Sequence, residues 1–207
     1  MLGVAAGCVL SLAVLPYVFY EYATREMWRR PYLNWTPMPW ASDSANDQLG
    51  EINAIGAKRR WTEADAERLH EILSIDLGRF DDTHAQHEIS DRYAMARVLG
   101  DAILVISDRL VHGPLDDDAL RSRLEGMLLA ALDHEYLEIR SAAVGAAVEA
   151  RLARRPEVHA RLLVLQHSDP SDRVRNVARI HLEHDAITQD LENKGKIYVP
   201  PEWMRRR

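Results

Sequence analysis

An internal repeat is the feature that most limits how this chain can fold. Residues 133–151 (DHEYLEIRSAAVGAAVEAR) and 168–185 (SDPSDRVRNVARIHLEHD) match at an offset of 35. That register pairs Ile139 with Val174, Arg140 with Arg175, Ala143 with Ala178 and Ala147 with Leu182. The apolar positions recur three or four apart, so each copy carries one apolar helix face. A unit of this size cannot bury that face alone and must stack on its neighbour. The partner helices are expected over 117–132 and 156–167, the second opened by Pro156 at a favoured first-turn position. Pro170 reads the same way after Asp169.

Helical spacing extends upstream. Thr62 is placed to cap TEADAERLHEILSI, in which Leu69, Ile72 and Leu73 share a face and Gly78 follows near the end. Residues 84–108 set Ile89, Tyr93, Ala96, Leu99 and Ile103 at helical spacing. Asp116 to Asp118 form an acidic first turn ahead of Leu120, Leu124, Met127, Leu128 and Ala131. No run alternates as a strand does, and only 2 Phe and 10 Gly argue further against a β-rich fold. The polar stretch ASDSANDQLGE reads as a turn-prone boundary near residue 50.

An acidic turn, then a β-branched residue followed by Arg, then Ala three positions on: this pattern is carried by Asp169, Val174, Arg175 and Ala178, and more loosely by Asp133, Ile139, Arg140 and Ala143. It resembles the HEAT-repeat family, including the HEAT-like repeats of phycobilin lyases, over about residues 117–185. The resemblance implies a short α-solenoid in which Asp and Arg tie the turn to the neighbouring helix. Asp133 sits one position early relative to Asp169.

All charged residues lie after position 20, and Leu2–Tyr20 form a nineteen-residue charge-free run. As a helix the run spans roughly 29 Å, close to the hydrocarbon thickness of a bilayer. Tyr17, Phe19, Tyr20, Tyr22 and Trp28 suit a headgroup interface, and no basic residue precedes the run as in a signal peptide. The expectation is a single transmembrane anchor over 1–22, a buried core helix being the alternative. Gly3, Gly7 and Ser11 would allow close helix packing in the bilayer. Arg25, Arg29 and Arg30 after the run put the amino terminus outside and the rest on the cytoplasmic side, or its organellar equivalent.

Residues 23–60 read as a strap and linker. Pro31, Pro37 and Pro39 stiffen a segment bearing Trp28, Tyr32, Trp35 and Trp40, which suit either a membrane interface or a partner protein. The helical-repeat domain is assigned to 61–187. The final segment, 188–207, breaks helicity at Gly195 and Pro200–Pro201 and carries Ile197, Tyr198, Val199, Trp203 and Met204 beside Arg205–Arg207. It reads as a docking tail or as a cap folded back on the last repeat.

Chemistry-bearing patterns are sparse. The pairs His84/His87 and His181/His184, each at i, i+3, could reach one metal, but nine His among 32 acids generate such pairs easily, and solvated or helix-end roles are the simpler reading. Glu67-x-x-His70 has no second copy to build a di-metal bundle site. Cys8, the one cysteine, lies in the charge-free run, and no phosphate loop or nucleophile motif appears. A net charge of −6 argues against nucleic-acid binding. The expected architecture is therefore all-α, one transmembrane helix followed by a short HEAT-like solenoid or helical bundle. The expected role is non-catalytic, without cofactor or small-molecule substrate: an accessory subunit of a membrane complex, with photosynthetic or respiratory hosts tried first. The alternatives are a membrane-tethered adaptor for soluble clients and a chromophore-lyase-like or metal-binding protein.

Overall fold

A computed structural model describes residues 42–79, 91–115 and 117–196, all within the unit that runs from Pro37 to Arg207. These residues form seven α-helices and no strand: α1 (Asp43–Ala57), α2 (Glu63–Leu73), α3 (Asp91–His112), α4 (Asp118–Ala131), α5 (Leu137–Glu149), α6 (Pro156–Ser168) and α7 (Asp172–Asn193). Short 3-10 turns occupy Leu77–Arg79 and Leu152–Arg154.

The helix starts follow from local chemistry. The Ser42 hydroxyl accepts from the Ala45 N–H at 3.4 Å and opens α1. Thr62 and Asp65 form a reciprocal capping box at α2, the Thr62 N–H donating to Asp65 Oδ2 at 2.8 Å. The Asp117 carboxylate accepts from the Ala119 N–H at 2.8 Å and from the Leu120 N–H at 3.3 Å, ahead of α4. Pro156 is the first residue of α6, where its missing N–H costs nothing. Pro170 does not repeat that role. It lies ahead of the Ser171 cap, because the Asp169 side chain makes the turn by accepting from the Ser171 N–H.

The helices pack in two layers. Helices α1, α3, α5 and α7 lie side by side in chain order. On one side of them, α2 packs on α3 and α4, α4 on α3 and α5, and α6 on α7. The core fills the space between. Ile52 of α1, Leu69 and Ile72 of α2, Leu99, Ile103 and Ile106 of α3, Leu124 and Leu128 of α4 and Ile139 of α5 are fully buried. All five apolar positions expected on 117–132 are buried in α4.

Several expectations are corrected. An anchor helix followed by a HEAT-like solenoid is not the architecture found, because no helix among the described residues is long and apolar enough to cross a membrane. Helices α3 and α7 reach 22 residues, but each carries acidic and basic residues along its length, and a charge at the bilayer centre costs several kcal/mol. Leu2–Tyr20, with Gly3, Gly7 and Ser11, lie outside the described residues.

The stretch read as a turn-prone boundary is helical. Ala45, Leu49, Ile52 and Ile55 recur at helical spacing in α1 and are buried, although polar residues surround them in sequence. Tyr93, placed on the apolar stripe of 84–108 together with the buried Ala96, Leu99 and Ile103, is instead exposed. Helix α3 buries most of its circumference between α1, α5 and the second layer, and Tyr93 lies on the strip left over.

Candidate functional site

The matched turns before α5 and α7 repeat the same local bonds. Arg140 Nη1 donates to the His134 carbonyl at 2.7 Å, and 35 residues later Arg175 Nη1 donates to the Asp169 carbonyl. The Tyr136 N–H donates to His134 Nδ1 at 3.2 Å, and its counterpart Ser171 N–H donates to Asp169 Oδ1 at 2.8 Å. The structural counterpart of Asp169 is therefore His134 rather than Asp133, which meets Arg161 at the surface. The one-position discrepancy in the acidic residue disappears.

Between the two copies runs a buried fork. Arg140 donates from Nε to Asp169 Oδ2 at 2.7 Å and from Nη2 to Oδ1 at 2.9 Å, and its remaining nitrogen also reaches the Glu135 carbonyl at 2.7 Å. Burial pushes the Asp169 carboxyl up, but the Arg140 fork, the Ser171 N–H and the Arg175 charge outweigh it and hold the pKa below the usual range. Arg175 instead reaches its own turn and Asp172 one turn along α7. Ile139, Ala143, Val174 and Ala178 are all fully buried, so these residues are core positions of α5 and α7.

The fork ties α5 to the turn that opens α7, and with α3 packed on the other side of α5 the three helices share one exposed face. Opposite the second layer, α3 presents Tyr93, Arg97, Asp101 and Leu104, and α5 presents Glu138, Ser141, Ala142 and Gly145. Helix α7 presents Ile180, His184 and Ile187. Of six large apolar side chains that stay exposed among the described residues, four lie here: Tyr93 (51%), Leu104 (40%), Ile180 (49%) and Ile187 (60%). The other two, Leu163 and Val164, lie on α6.

Past Glu138 the central helix contributes only the small side chains of Ser141, Ala142 and Gly145, so the face is a trough floored by α5 and walled by α3 and α7. At Gly145 the floor is closed by the His181 ring, whose Cε1 lies 3.3 Å from where a β-carbon would stand. At the amino-terminal end of α5 the trough opens into a groove of about 670 Å³, lined in part by Arg92, Tyr93, Tyr136, Leu137 and Glu138. The Arg92 guanidinium stacks over the Tyr136 ring at 5.1 Å.

Titrating groups mark this face without building a reaction centre. Burial raises the Asp101 carboxyl pKa against the opposing Arg97 charge. Burial lowers the His181 pKa, aided by His184 and opposed by Glu149. Among the described residues no group of three His, Cys, Asp or Glu could hold a metal ion, so His181 and His184 do not meet a third ligand there. Glu67 pairs with Arg123. His84 and His87 lie outside the described residues, as do Trp28, Tyr32, Trp35, Trp40, Tyr198, Trp203 and Met204.

A second cluster escaped the sequence reading. Arg109 is buried and stacks over the Trp61 ring at 4.7 Å, and its fork donates to the Arg59 carbonyl at 3.0 Å and to the Lys58 carbonyl. It ties the loop between α1 and α2 to the end of α3. Burial lowers its pKa against the charges of Asp108 and Asp65. Comparison with family models, characterised proteins and solved structures returns no match for this chain.

Proposed function

We propose that this helical stack is a non-catalytic docking scaffold, an accessory protein whose α3–α5–α7 face receives a segment of a partner protein. One observation carries the reading: the exposed apolar side chains of Tyr93, Leu104 and Ile180 border a floor of Ser141, Ala142 and Gly145. Burying the exposed half of each would contribute about 1 kcal/mol, enough together to anchor a helix or strand once polar rim contacts add specificity. Adjacent helices lie about 8–10 Å apart, so the walls stand wide enough to admit one further helix above α5.

The HEAT-like reading of the repeat supports the same role. The turn bonds recur at an offset of 35 and the Arg140–Asp169 fork joins one copy to the next, as stacked repeats require. A rigid two-layer stack presents its face without rearrangement, which lowers the cost of ordering on binding.

The test is purification from native cells with quantitative mass spectrometry, comparing the natural chain with Leu104→Asp and Ile180→Asp. A subunit copurifies at fixed stoichiometry, and an adaptor at variable, substoichiometric levels. Both variants should lose the partner at least tenfold while their helical circular dichroism is unchanged. A partner retained by both variants refutes the assignment of this face.

A further inference from the structure

We propose that the last three turns of α7, residues 183–193, form an arm latched by ion pairs to the turn after α5, and that this arm opens as a unit while the core stays folded.

The arm begins where apolar anchoring ends. Val174, Ala178 and Leu182 are buried at helical spacing and hold the first half of α7. Beyond Leu182 the one buried side chain of α7 is that of Asp185, and Ile187 stays out of the core. The repeat match also stops at Asp185, so the arm is an extension that stacking of the two copies does not require. It closes on Gly195, φ +64°, with bonds of 2.9 Å from the Lys196 N–H to the Leu191 carbonyl and from the Gly195 N–H to the Glu192 carbonyl.

Two arginines grip this extension in place of apolar contacts. Arg151 Nη2 meets Glu192 Oε1 at 3.1 Å, and Arg154 Nη1 meets Glu192 Oε2 at 2.9 Å. Arg154 Nε also lies 3.7 Å from Asp185 Oδ1, while Asp185 Oδ2 accepts from Gln189 Nε2 at 2.7 Å. Asp185 and Glu192 stand two turns apart, so both carboxylates share one side of α7. The turn that carries the arginines is strained for the purpose. Arg151 has φ 61°, a left-handed conformation that glycine enters freely and other residues seldom do. Glycine would suit the backbone better; arginine adds the hold on Glu192.

The two halves of α7 therefore respond differently to solution conditions. The Arg151 and Arg154 side chains are about a third exposed, so dissolved salt weakens their pairs, whereas burial of Val174 to Leu182 has no charge to screen. A released segment of eleven residues is too short to stay helical alone, so the arm unwinds when it opens. Ile180 then stays in place and Ile187 leaves, so the latch sets how much apolar surface α7 presents.

The test is hydrogen exchange of the full-length chain, read by mass spectrometry on overlapping peptides of α7. Amides of 186–193 should share one protection level, at least tenfold below that of 176–182. Raising sodium chloride from 50 to 500 mM should speed their exchange about threefold and leave 176–182 unchanged. Glu192→Gln should speed it at least fivefold and remove most of the salt response. Arg151→Gly should separate two readouts, with faster exchange in the arm but a urea midpoint of the whole stack that is the same or higher. Protection of the arm equal to that of 176–182, or no response to salt, overturns the proposal. So does exchange that quickens turn by turn toward Asn193 and ignores Glu192→Gln, which is ordinary fraying of a helix end. A lowered urea midpoint in Arg151→Gly would show that arm and core unfold together, and overturns it as well.

Discussion

Replacing Arg140 by Met tests whether the fork between the repeat copies stabilises the stack. The methionine keeps most of the stem and removes the guanidinium. Asp169, only 5% exposed, then loses two charge-assisted bonds of 2.7 and 2.9 Å and keeps the Ser171 N–H and the Arg175 charge. The His134 and Glu135 carbonyls lose their donors as well. Breaking one side of a buried pair costs about 3–5 kcal/mol, and the bonds that Asp169 retains place the expected loss near the lower end, about 3 kcal/mol. That is a large share of the roughly 5–15 kcal/mol that holds a domain folded. Asp169→Asn should cost about 2 kcal/mol, and the double change less than the sum by about 1.5–2 kcal/mol, because the second substitution removes the stranded partner.

The assay is urea unfolding followed by circular dichroism, with the m-value checked for constancy. Acid adds an independent arm. The folded-state pKa of Asp169 is depressed, so its contribution is complete above the unfolded value of about 4 and is lost as pH falls through the folded pKa. Arg140→Met should therefore flatten the stability profile below about pH 4. Additivity within 0.5 kcal/mol, or an unchanged acid profile, would refute the reasoning.

Gly113→Ala should destabilise by about 1–3 kcal/mol in thermal melts, because the added β-carbon would stand 2.2 Å from Arg109 Cδ and 2.8 Å from the Arg109 carbonyl oxygen. Gly126→Ala should stabilise by about 0.5–1 kcal/mol, since nothing lies within 4 Å of the new methyl inside α4. Trp61→Ala should cost about 3 kcal/mol in urea by vacating the platform under Arg109. Burial depresses the pKa of His134 and His181, so the unfolded chain takes up protons first as pH falls below about 6.5. Stability should fall from pH 7 to 5.5, and His181→Gln should reduce that slope; an unchanged slope excludes His181 as a source.

The repeat was legible because burial at Ile139, Ala143, Val174 and Ala178 imposes a residue type on each position, and types recur. The Thr62 cap and the Pro156 start were legible because both act within one turn of chain. What could not be read was the product of distant chain segments. Arg109 reaches the Arg59 carbonyl across 50 residues, with no local pattern to announce it. Helix α1 was hidden because Ala45, Leu49, Ile52 and Ile55 sit among polar residues, and only α3 packing against them gives that thin stripe its weight. The face proposed for docking had a faint signal, the small residues Ser141, Ala142 and Gly145 close together on α5. The signal acquires meaning only when α3 and α7 stand on either side.

The same comparison of α5 with α7 explains where the described stack stops. Val144 and Val148 are buried in α5, and their counterparts in α7 are the exposed Arg179 and Glu183. Arg179 and Glu183 bond across one turn at 3.1 Å on the outer side of α7. A further hairpin packed there would have to desolvate that pair, so α7 ends the layer as a polar cap rather than as one more repeat. The substitutions stop at the edge of the trough. Ile180, counterpart of Gly145, and Ile187 are apolar and stay about half exposed. A helix polar where the stack must end and apolar where the trough needs a wall meets two separate requirements. The prediction is that Arg179→Leu with Glu183→Leu lets copies associate end to end, read as concentration-dependent sedimentation, while helical circular dichroism is unchanged. Sedimentation that stays independent of concentration would show that the Arg179–Glu183 pair is not what ends the layer.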